Sequence, residues 1–405
     1  MKRQYIPIFV IVLVNFIGSG MVLPTLPLYA QRHFDARPEA ITAMLASYFI
    51  ALFVAAPVIG RLSDRYGRMP VLVISQLGTL ISFLILANAT DTWQLYLARV
   101  LDGITGGNVI VAQAYIADIS TKEERTRSLG VVWMAFGIGQ ILGPAIGGYL
   151  SALANDRAPF WIGAVVAGLT VALTRLALRE TLTAHQRAER LAAVAKTGKL
   201  TMHEVIGHPS LPIILLLGYI VQFSLSMMTG TFALYGAAVI FVGQPPEVQS
   251  LGVGTLLMMI GVGQLITQLF LLKQLIDRFG ERRLVLAGTL VRALGLAMMV
   301  VFVHPVVVGL ALMLFAAASG VMMPSLQSLA TTSVIEERTG AMLGYYQSAT
   351  SLGFISGTLL GGVLFAATPA LPFAGGALLL LVVAFPAAMR LQRALTPKPG
   401  LAVTT

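Results

Sequence analysis

The chain has 405 residues, of which 57% are hydrophobic and only 11% are charged. Soluble globular domains have roughly 45–50% apolar and about 25% charged residues, and the mean hydropathy of this chain is +0.84. The composition therefore excludes a soluble protein and indicates a protein that crosses a membrane many times.

The residue types needed for several kinds of chemistry are missing from the sequence. Cysteine is absent, which excludes disulfides, thiolate catalysis and cysteine-bound metals. The five histidines never form the H-E-x-x-H pair of zinc hydrolases, and no complete phosphate-binding P-loop occurs. We therefore expect no enzyme activity, no cofactor and no metal. The basic residues that give the net charge of +10 lie mostly between apolar segments, so we expect no nucleic-acid partner.

Twelve apolar runs are long enough to cross a bilayer, which takes about 20 helical residues. We predict helices, because a spanning segment must satisfy its own backbone hydrogen bonds and the runs lack the alternation of barrel strands. The runs are 6–28, 41–60, 70–90, 93–117, 128–152, 158–178, 209–240, 249–272, 283–303, 306–330, 340–366 and 371–389. The predicted organisation is a helical bundle over 1–178, a linker with a surface amphipathic helix over 179–208, a second bundle over 209–393 and a tail over 394–405.

Lys and Arg are distributed unevenly over the predicted loops. One side of the membrane collects 22 of the 27, the other has three, and two lie inside spans. Basic loops of membrane proteins remain in the cytoplasm. The distribution predicts an inner (cytoplasmic) membrane protein with both termini in the cytoplasm. The side with the 22 basic residues is termed the basic end below, and the other side the opposite end.

Three short segments recur at a nearly constant offset. Asp64-Arg65-Tyr66-Gly67 recurs as Asp277-Arg278-Phe279-Gly280, Glu123-Glu124-Arg125-Thr126 as Glu336-Glu337-Arg338-Thr339, and Gly147-Gly148 as Gly361-Gly362. Because each repeat would hold six spans, an even number, the two repeats have the same orientation. We predict an all-α membrane fold of two parallel six-helix repeats around a central cleft, the architecture of a secondary transporter.

The segment after the second run reads Gly60-Arg61-Leu62-Ser63-Asp64-Arg65-Tyr66-Gly67-Arg68. It resembles the G-x-L-a-D-r-x-G-r-[kr] signature of the major facilitator superfamily. The resemblance implies a gate that holds the outward-facing arrangement, with Asp64 making charge-assisted contacts or capping a neighbouring helix. The alternative for the arginines is that they set topology alone. We assign the gate to Gly60, Asp64, Arg65, Gly67 and Arg68.

The second copy of this signature keeps Asp277, Arg278 and Gly280, which we also assign to gating. Lys273 and Glu281 depart from the pattern. We therefore predict a weaker latch in the second half.

Span 4 carries two charges at positions that helical spacing places together. Arg99 and Asp102 are three residues apart, so they lie on one helix face, and charges at that depth usually line a transport pathway. The surrounding sequence resembles the superfamily's R-x-x-q/s-G-x-x-G element. We predict that Asp102 and Arg99 couple transport to protons, with a purely structural ion pair as the alternative. Gln113 is nearly three turns further on and is predicted to share that face.

Span 5 contains Gly139, Gly143, Pro144, Gly147 and Gly148 in a pattern similar to the G-x-x-x-G-P-x-x-G-G motif of the superfamily's proton-driven exporters. Glycines at this spacing allow close helix contact, and a proline bends the helix. Span 11 keeps the glycines but has Thr358 in place of the proline. The motif favours export over import, with ordinary small-residue packing as the alternative.

Polar residues are candidates for substrate binding: Asn15 and Ser19 in span 1, Gln113 in span 4, and Gln222 and Ser226 in span 7. Hydrogen bonding between helices is the alternative for the amides. Related tetracycline exporters carry an acid near Asn15, so its absence argues against exchange of tetracycline–metal complexes. The resemblance implies a peripheral position for span 9, where Arg292 would extend towards the lipid surface or have a function.

The resemblance covers residues 1–395 and is strongest to the twelve-span drug:H⁺ antiporters, which include tetracycline and multidrug exporters. We therefore expect a monomeric, proton-coupled secondary transporter that exports small amphipathic molecules. A sugar or metabolite transporter on the same fold is the first alternative. A non-transporting membrane receptor or scaffold is the second.

Overall fold

The structure is a computed structural model that describes residues 5–119, 125–178, 180–181, 202–335 and 338–394. In these ranges twelve helices are long and apolar enough to cross a membrane, and all regular secondary structure is helical. The sequence prediction of an all-α membrane protein with twelve spans is confirmed. The predicted amphipathic linker helix and the tail beyond residue 394 lie outside the described residues.

The spans are numbered 1 to 12 in chain order. Spans 1 to 6 are Tyr5–Phe34, Pro38–Tyr66, Arg68–Asn88, the pair Thr92–Thr105 and Asn108–Ile119, Arg125–Leu153, and Ala158–Ala177. A short helix, Met202–Gly207, precedes span 7, which is Leu211–Tyr235 with a π-helical end, Gly236–Ile240. Span 8 joins Pro246–Ile266, the π-helix Thr267–Leu271 and Leu272–Phe279; spans 9 to 11 are Glu281–Val301, Pro305–Thr332 and Thr339–Ala367. Span 12 joins Leu371–Leu379, the π-helix Leu380–Ala384 and Phe385–Ala394.

The two halves pack by the same scheme. Span 1 lies along span 5 and span 3 along span 6, as span 7 lies along span 11 and span 9 along span 12. The two halves meet along two further helix pairs, span 5 with span 8 and span 2 with span 11. Spans 5 and 8 are equivalent by the repeat to spans 11 and 2, so each of these pairs is the counterpart of the other. The predicted duplication is therefore present in the packing.

Glycines let the paired helices approach closely, as the spacing in spans 5 and 11 predicts. A Cβ on Gly143 would lie 2.7 Å from the Cα of Gly20 in span 1, and one on Gly147 would lie 2.8 Å from the carbonyl oxygen of Met21. In lipid the apolar surfaces give no hydrophobic drive, so such close packing contributes much of the association.

The signature segment between spans 2 and 3 is mostly helix, where the sequence analysis placed a loop. Span 2 continues to Tyr66 and span 3 begins at Arg68, so the turn is the single residue Gly67, with φ 103°. Gly280 makes the equivalent turn in the second half, with φ 74°. This backbone region favours glycine because it has no Cβ. Gly60, by contrast, lies inside span 2 with open space around it, and takes no part in the turn.

Span 4 is broken at Gly106 and Gly107, where the sequence analysis predicted one continuous helix. The backbone N–H of Gly107 bonds the carbonyl of Thr105 at 2.7 Å, and a new helix starts at Asn108. The break removes the continuous helix on which the predicted shared face of Asp102 and Gln113 depended. Gln113 is half-buried on the second of the two helices.

Candidate functional site

Asp102 and Arg99 form the ion pair that their spacing predicts. Nη1 of Arg99 lies 3.1 Å from Oδ2 of Asp102, and the two side chains are 7% and 16% exposed. The other carboxylate oxygen accepts a hydrogen bond of 3.0 Å from the hydroxyl of Thr79 in span 3. The guanidinium lies 4.3 Å from the ring centroid of Tyr48 in span 2, within cation–π range. Three spans therefore hold the pair.

Close packing of spans 2, 3 and 4 places the pair. A Cβ on Gly103 would lie 2.7 Å from the Cβ of Ala51 and would also meet the carbonyl of Tyr48. A Cβ on Gly78 would meet the side chain of Thr105. Because both glycines lie within four residues of the pair or of Thr79, larger residues there would separate the helices that carry its partners.

A second charged cluster lies at the basic end, around Arg68, which is 3% exposed. Its Nη2 lies 2.7 Å from Oδ1 of Asp64, and its Nε lies 2.9 Å from Oδ2 of Asp118. Its Nη1 also donates to the hydroxyl of Ser63 at 2.8 Å. The expected charge-assisted contact of Asp64 is therefore made to Arg68, in the same half. Arg65 is exposed.

Glu180 caps span 3, a function the sequence analysis did not assign. Its two carboxylate oxygens accept hydrogen bonds from the backbone N–H groups of Arg68 at 2.9 Å and Met69 at 3.0 Å. The hydroxyl of Thr181 donates to Asp118 at 3.2 Å. Asp118, near the end of span 4, is thus part of the buried cluster. The residue before span 3 is Gly67, which has no side chain to cap the helix. An acid just past the end of span 6 was therefore the sequence signal for a cap from elsewhere in the chain.

The second copy of the signature forms no such buried cluster within the described residues. Asp277 and Arg278 are exposed, and Arg278 stacks on the ring of its neighbour Phe279. The residue at the position of Arg68 is Glu281, so the central guanidinium is missing. Ile276 and Thr331 likewise stand at the positions of Ser63 and Asp118, and the weaker latch of the second half stays a prediction.

The span 5 motif serves two interfaces. Gly139, Gly143 and Gly147 face span 1, and Pro144 approaches Gly20 in the same contact. Gly148 instead faces the other half, where a Cβ would lie 2.9 Å from the Cα of Gly254 in span 8. Span 11 repeats the arrangement: Gly353, Gly357 and Gly361 face span 7, and Gly362 faces Thr42 and Pro38 in span 2.

Arg32 joins the two halves at the opposite end, a contact that sequence reasoning missed. Its Nη1 lies 3.0 Å from Oδ1 of Asp156 and donates to the hydroxyl of Ser250 at 2.9 Å. Its Nη2 donates to the carbonyl of Pro246 and to the side chain of Gln249. Arg32 was one of the three basic residues on its side of the predicted topology, which was the available signal. The halves are thus closed against each other at the opposite end.

The polar candidates for substrate binding differ in their surroundings. Asn15 lines a small cavity inside the first bundle, whereas Ser19 is exposed. Ser226 is fully buried at the span 11 contact, where its hydroxyl lies 3.1 Å from the carbonyl of Phe223 and 3.5 Å from that of Gly353. The side-chain oxygen of Gln222 is buried and has no hydrogen-bond partner in the part of the chain that the structure describes.

Arg292 does not extend towards the lipid surface, and this part of the sequence interpretation is wrong. The side chain is 0% exposed and lies inside the second bundle. Its Nη2 donates to the carbonyl of Val221 at 2.8 Å and to the hydroxyl of Ser224 at 2.9 Å, and Nη1 donates to Ser319. Phe315 lies under the guanidinium, 4.1 Å away. Polar groups of spans 7 and 10 solvate the guanidinium, in place of the water that it would contact at the membrane surface.

The protein has two homologous six-helix bundles that meet along two symmetric helix pairs, and one bundle contains an ion pair. This arrangement is that of a membrane transporter. The chain belongs to the Major Facilitator Superfamily, whose family model matches residues 8–240 and 227–403. It is 31% identical over 359 residues to the tetracycline resistance protein, class C, of Escherichia coli, covering 88% of each chain. It is 25% identical to multidrug resistance protein 2 of Bacillus subtilis, again over 88% of each. The fold is similar to a solved peptide transporter, POT, with a TM-score of 0.79, 13% identity, and 96% and 95% of the two chains covered.

Proposed function

We propose that the protein is a proton-coupled antiporter that exports small amphipathic molecules by alternating access. The observation that carries the proposal is the Arg99–Asp102 pair inside span 4. Charges within membrane spans are costly and are characteristic of ion pathways and proton relays. The relatives named for tetracycline and multidrug resistance support export of drug-like molecules.

The symmetric helix pairs support alternating access. Gly148 against Gly254 and Gly362 against Thr42 form matching close contacts between the halves. Rocking of one six-helix repeat against the other around a fixed site is the movement expected of such folds. The positive-inside rule predicts that the basic end lies in the cytoplasm. The Arg32 contacts would then join the two halves on the side of the membrane that faces away from the cytoplasm.

The ion pair offers a way to exchange a proton for a substrate. When Asp102 takes up a proton, the carboxylate no longer neutralises Arg99, which keeps the ring of Tyr48 as a neighbour. A cationic substrate group that pairs with the carboxylate of Asp102 would exclude the proton from it, and a proton on Asp102 would in turn exclude that group. Proton and substrate therefore compete for one carboxylate, which is the requirement for antiport.

The sugar or metabolite alternative gains no support from aromatic residues. Trp93 and Trp161 are 59% and 45% exposed on the surface of the bundle, and neither lines the cavity beside the site. The receptor or scaffold alternative lacks a feature in its favour among the described residues.

The test is a transport panel on the purified full-length protein in liposomes with an imposed pH gradient. Ethidium, tetracycline with Mg²⁺ and a radiolabelled hexose represent the competing substrate classes. We expect ethidium to accumulate on the acidic side, with the gradient dissipating faster when ethidium is present. Accumulation of the hexose would favour the alternative, and no movement of any compound from the panel would contradict an amphipathic-drug antiporter.

A further inference from the structure

A cavity lies inside the first bundle, between spans 1, 3, 4 and 6. Asn15, Gln76, Thr79 and Asn108 are the polar residues that carry the inference among those lining it, and Phe83 and Val166 form part of its apolar wall. The cavity has room for a water molecule. Tyr48, which lies against the guanidinium of Arg99, is not among the residues that line it.

Two buried acceptors in this lining have no partner among the described residues. They are Oε1 of Gln76 and Oδ1 of Asn108, on residues that are 3% and 4% exposed. The amide nitrogens are already used: Gln76 donates to the hydroxyl of Thr174 at 2.8 Å, and Asn108 donates to Thr79 at 3.5 Å. The two oxygens therefore need a donor from the cavity, and buried water characteristically satisfies such groups.

Thr79 connects this cavity to Asp102. Thr79 is one of the lining residues, and its hydroxyl accepts from Asn108 and donates to Oδ1 of Asp102 at 3.0 Å. The other carboxylate oxygen is bound to Arg99. Among the described residues, Arg99 on span 4 and Tyr48 on span 2 are the charged or titratable side chains facing Asp102. Span 3 faces it with Thr79, which carries a hydroxyl that can both give and receive a proton.

We propose that the cavity holds water, and that this water exchanges protons with Asp102 through the hydroxyl of Thr79. In the release step the carboxylic O–H gives its proton to Thr79 Oγ1 while the threonine O–H bond passes its own proton to the water. The carboxylate is left ionised and bound to Arg99, the threonine is unchanged, and the water carries the proton as hydronium. This inference rests on the proposed coupling role of Asp102 and adds the route by which its proton moves.

The test is infrared spectroscopy of the full-length protein in liposomes after a change of pH or a change to D₂O. The C=O band of the protonated Asp102 is identified by its loss in Asp102→Asn. In Thr79→Val, which keeps the shape and removes the hydroxyl, we expect exchange of that band to slow by roughly tenfold or more, the scale of a lost proton-transfer group. Thr79→Ser should restore the rate.

Thr289→Val is the matched control, because this threonine is buried in span 9 and its hydroxyl donates to the carbonyl of Val285 in its own helix. It should leave the Asp102 band unchanged. Gln76→Leu should remove a water O–H band from the difference spectrum. An Asp102 band that exchanges at the wild-type rate in Thr79→Val, or that Thr79→Ser does not restore, overturns the route while the proposed function stands.

Two further outcomes are decisive. A response that follows Na⁺ in place of pH would show that the cavity holds a cation and would overturn the assignment to water. If the wild-type protein shows no band that Asp102→Asn removes, the acid does not titrate, and the proposed function fails together with the route.

Discussion

One pair of equivalent positions carries an acid in the first half of the protein and a buried arginine in the second half. Thr79 and Asp102 in spans 3 and 4 correspond by the repeat to Arg292 and Phe315 in spans 9 and 10. In the first half Thr79 bonds a carboxylate that Arg99 neutralises. In the second half Arg292 stacks on Phe315, and no acid of the described part of the chain forms an ion pair with it. The duplication has thus preserved the contact between the positions and changed its chemistry.

The glycines of spans 5 and 11, in contrast, are the same in both halves. Gly139, Gly143, Gly147 and Gly148 of span 5, which face span 1 or span 8, each have a counterpart in span 11 that faces span 7 or span 2. Both halves must pack to the same geometry if they are to rock against each other, whereas a single acid is sufficient to carry protons. The comparison teaches that packing is duplicated and that charge is specialised.

The largest difference should appear when each buried arginine is changed to methionine. Arg99→Met leaves the carboxylate of Asp102 without its cation and should destabilise the protein by about 3 kcal/mol. Arg292→Met should be neutral or stabilising, because Ser224 and Ser319 keep hydrogen bonds to their own helix carbonyls and no carboxylate is left unpaired. Unfolding followed by tryptophan fluorescence in detergent measures both. Equal destabilisation by the two variants would refute the contrast.

The next effect concerns the glycine contacts. Gly147→Leu should cost about 2 kcal/mol and impair transport, because the new side chain meets the backbone of Met21. Gly361→Leu should cost less, since its nearest neighbours, the side chain and the carbonyl oxygen of Met227, lie 3.1 and 3.2 Å from a Cβ, further than the 2.8 Å at Gly147.

Gly168→Leu is the control for both, because nothing lies within 4 Å of a Cβ there. Yield of folded protein and efflux by reconstituted variants check the order. Normal efflux by Gly147→Leu would show that the motif does not serve the helix contact that we assign to it.

A smaller effect distinguishes the two signature copies. Asp118→Asn weakens a charge-assisted bond to the buried Arg68 and should cost about 1.5 kcal/mol while slowing efflux. Asp277→Asn, on the exposed copy, should change stability by less than about 0.5 kcal/mol. Matched thermal unfolding and efflux assays compare the pair. A larger loss in Asp277→Asn than in Asp118→Asn would place the principal gate in the second half.

The smallest effect should come from Arg32→Gln at the opposite end. The contact is partly exposed, so its loss should shift the balance between conformations by about 1 kcal/mol, or roughly fivefold. Because the chain has no natural cysteine, a single Thr42→Cys substitution reports opening there by its labelling rate. Faster labelling in the Arg32→Gln background is expected. An unchanged rate would mean that Arg32 does not hold that end closed.

Much of this architecture was predictable, because hydropathy, basic loops and repeated segments are long-range averages over many residues. The Arg99–Asp102 pair was predictable because three-residue spacing within one helix fixes which side chains meet. The span 5 glycines were predictable for the same reason.

Contacts between distant segments were not predictable. The burial of Arg292 depends on Ser224 and Ser319 from two other spans, and the cluster at Arg68 depends on Glu180 beyond span 6. The break in span 4 was missed because glycine is common in membrane helices, so Gly106 and Gly107 gave no distinctive signal. The cavity beside Thr79 likewise requires four helices to be placed before it exists.

The central claim is that Asp102 couples transport to protons, and the direct test is the steady-state accumulation of a transported probe such as ethidium in liposomes with a fixed pH gradient. The wild-type protein should concentrate the probe against its own gradient. Asp102→Asn keeps the shape of the side chain but cannot titrate, so it should only equalise the concentrations on the two sides. Accumulation by Asp102→Asn to the wild-type ratio would contradict the account.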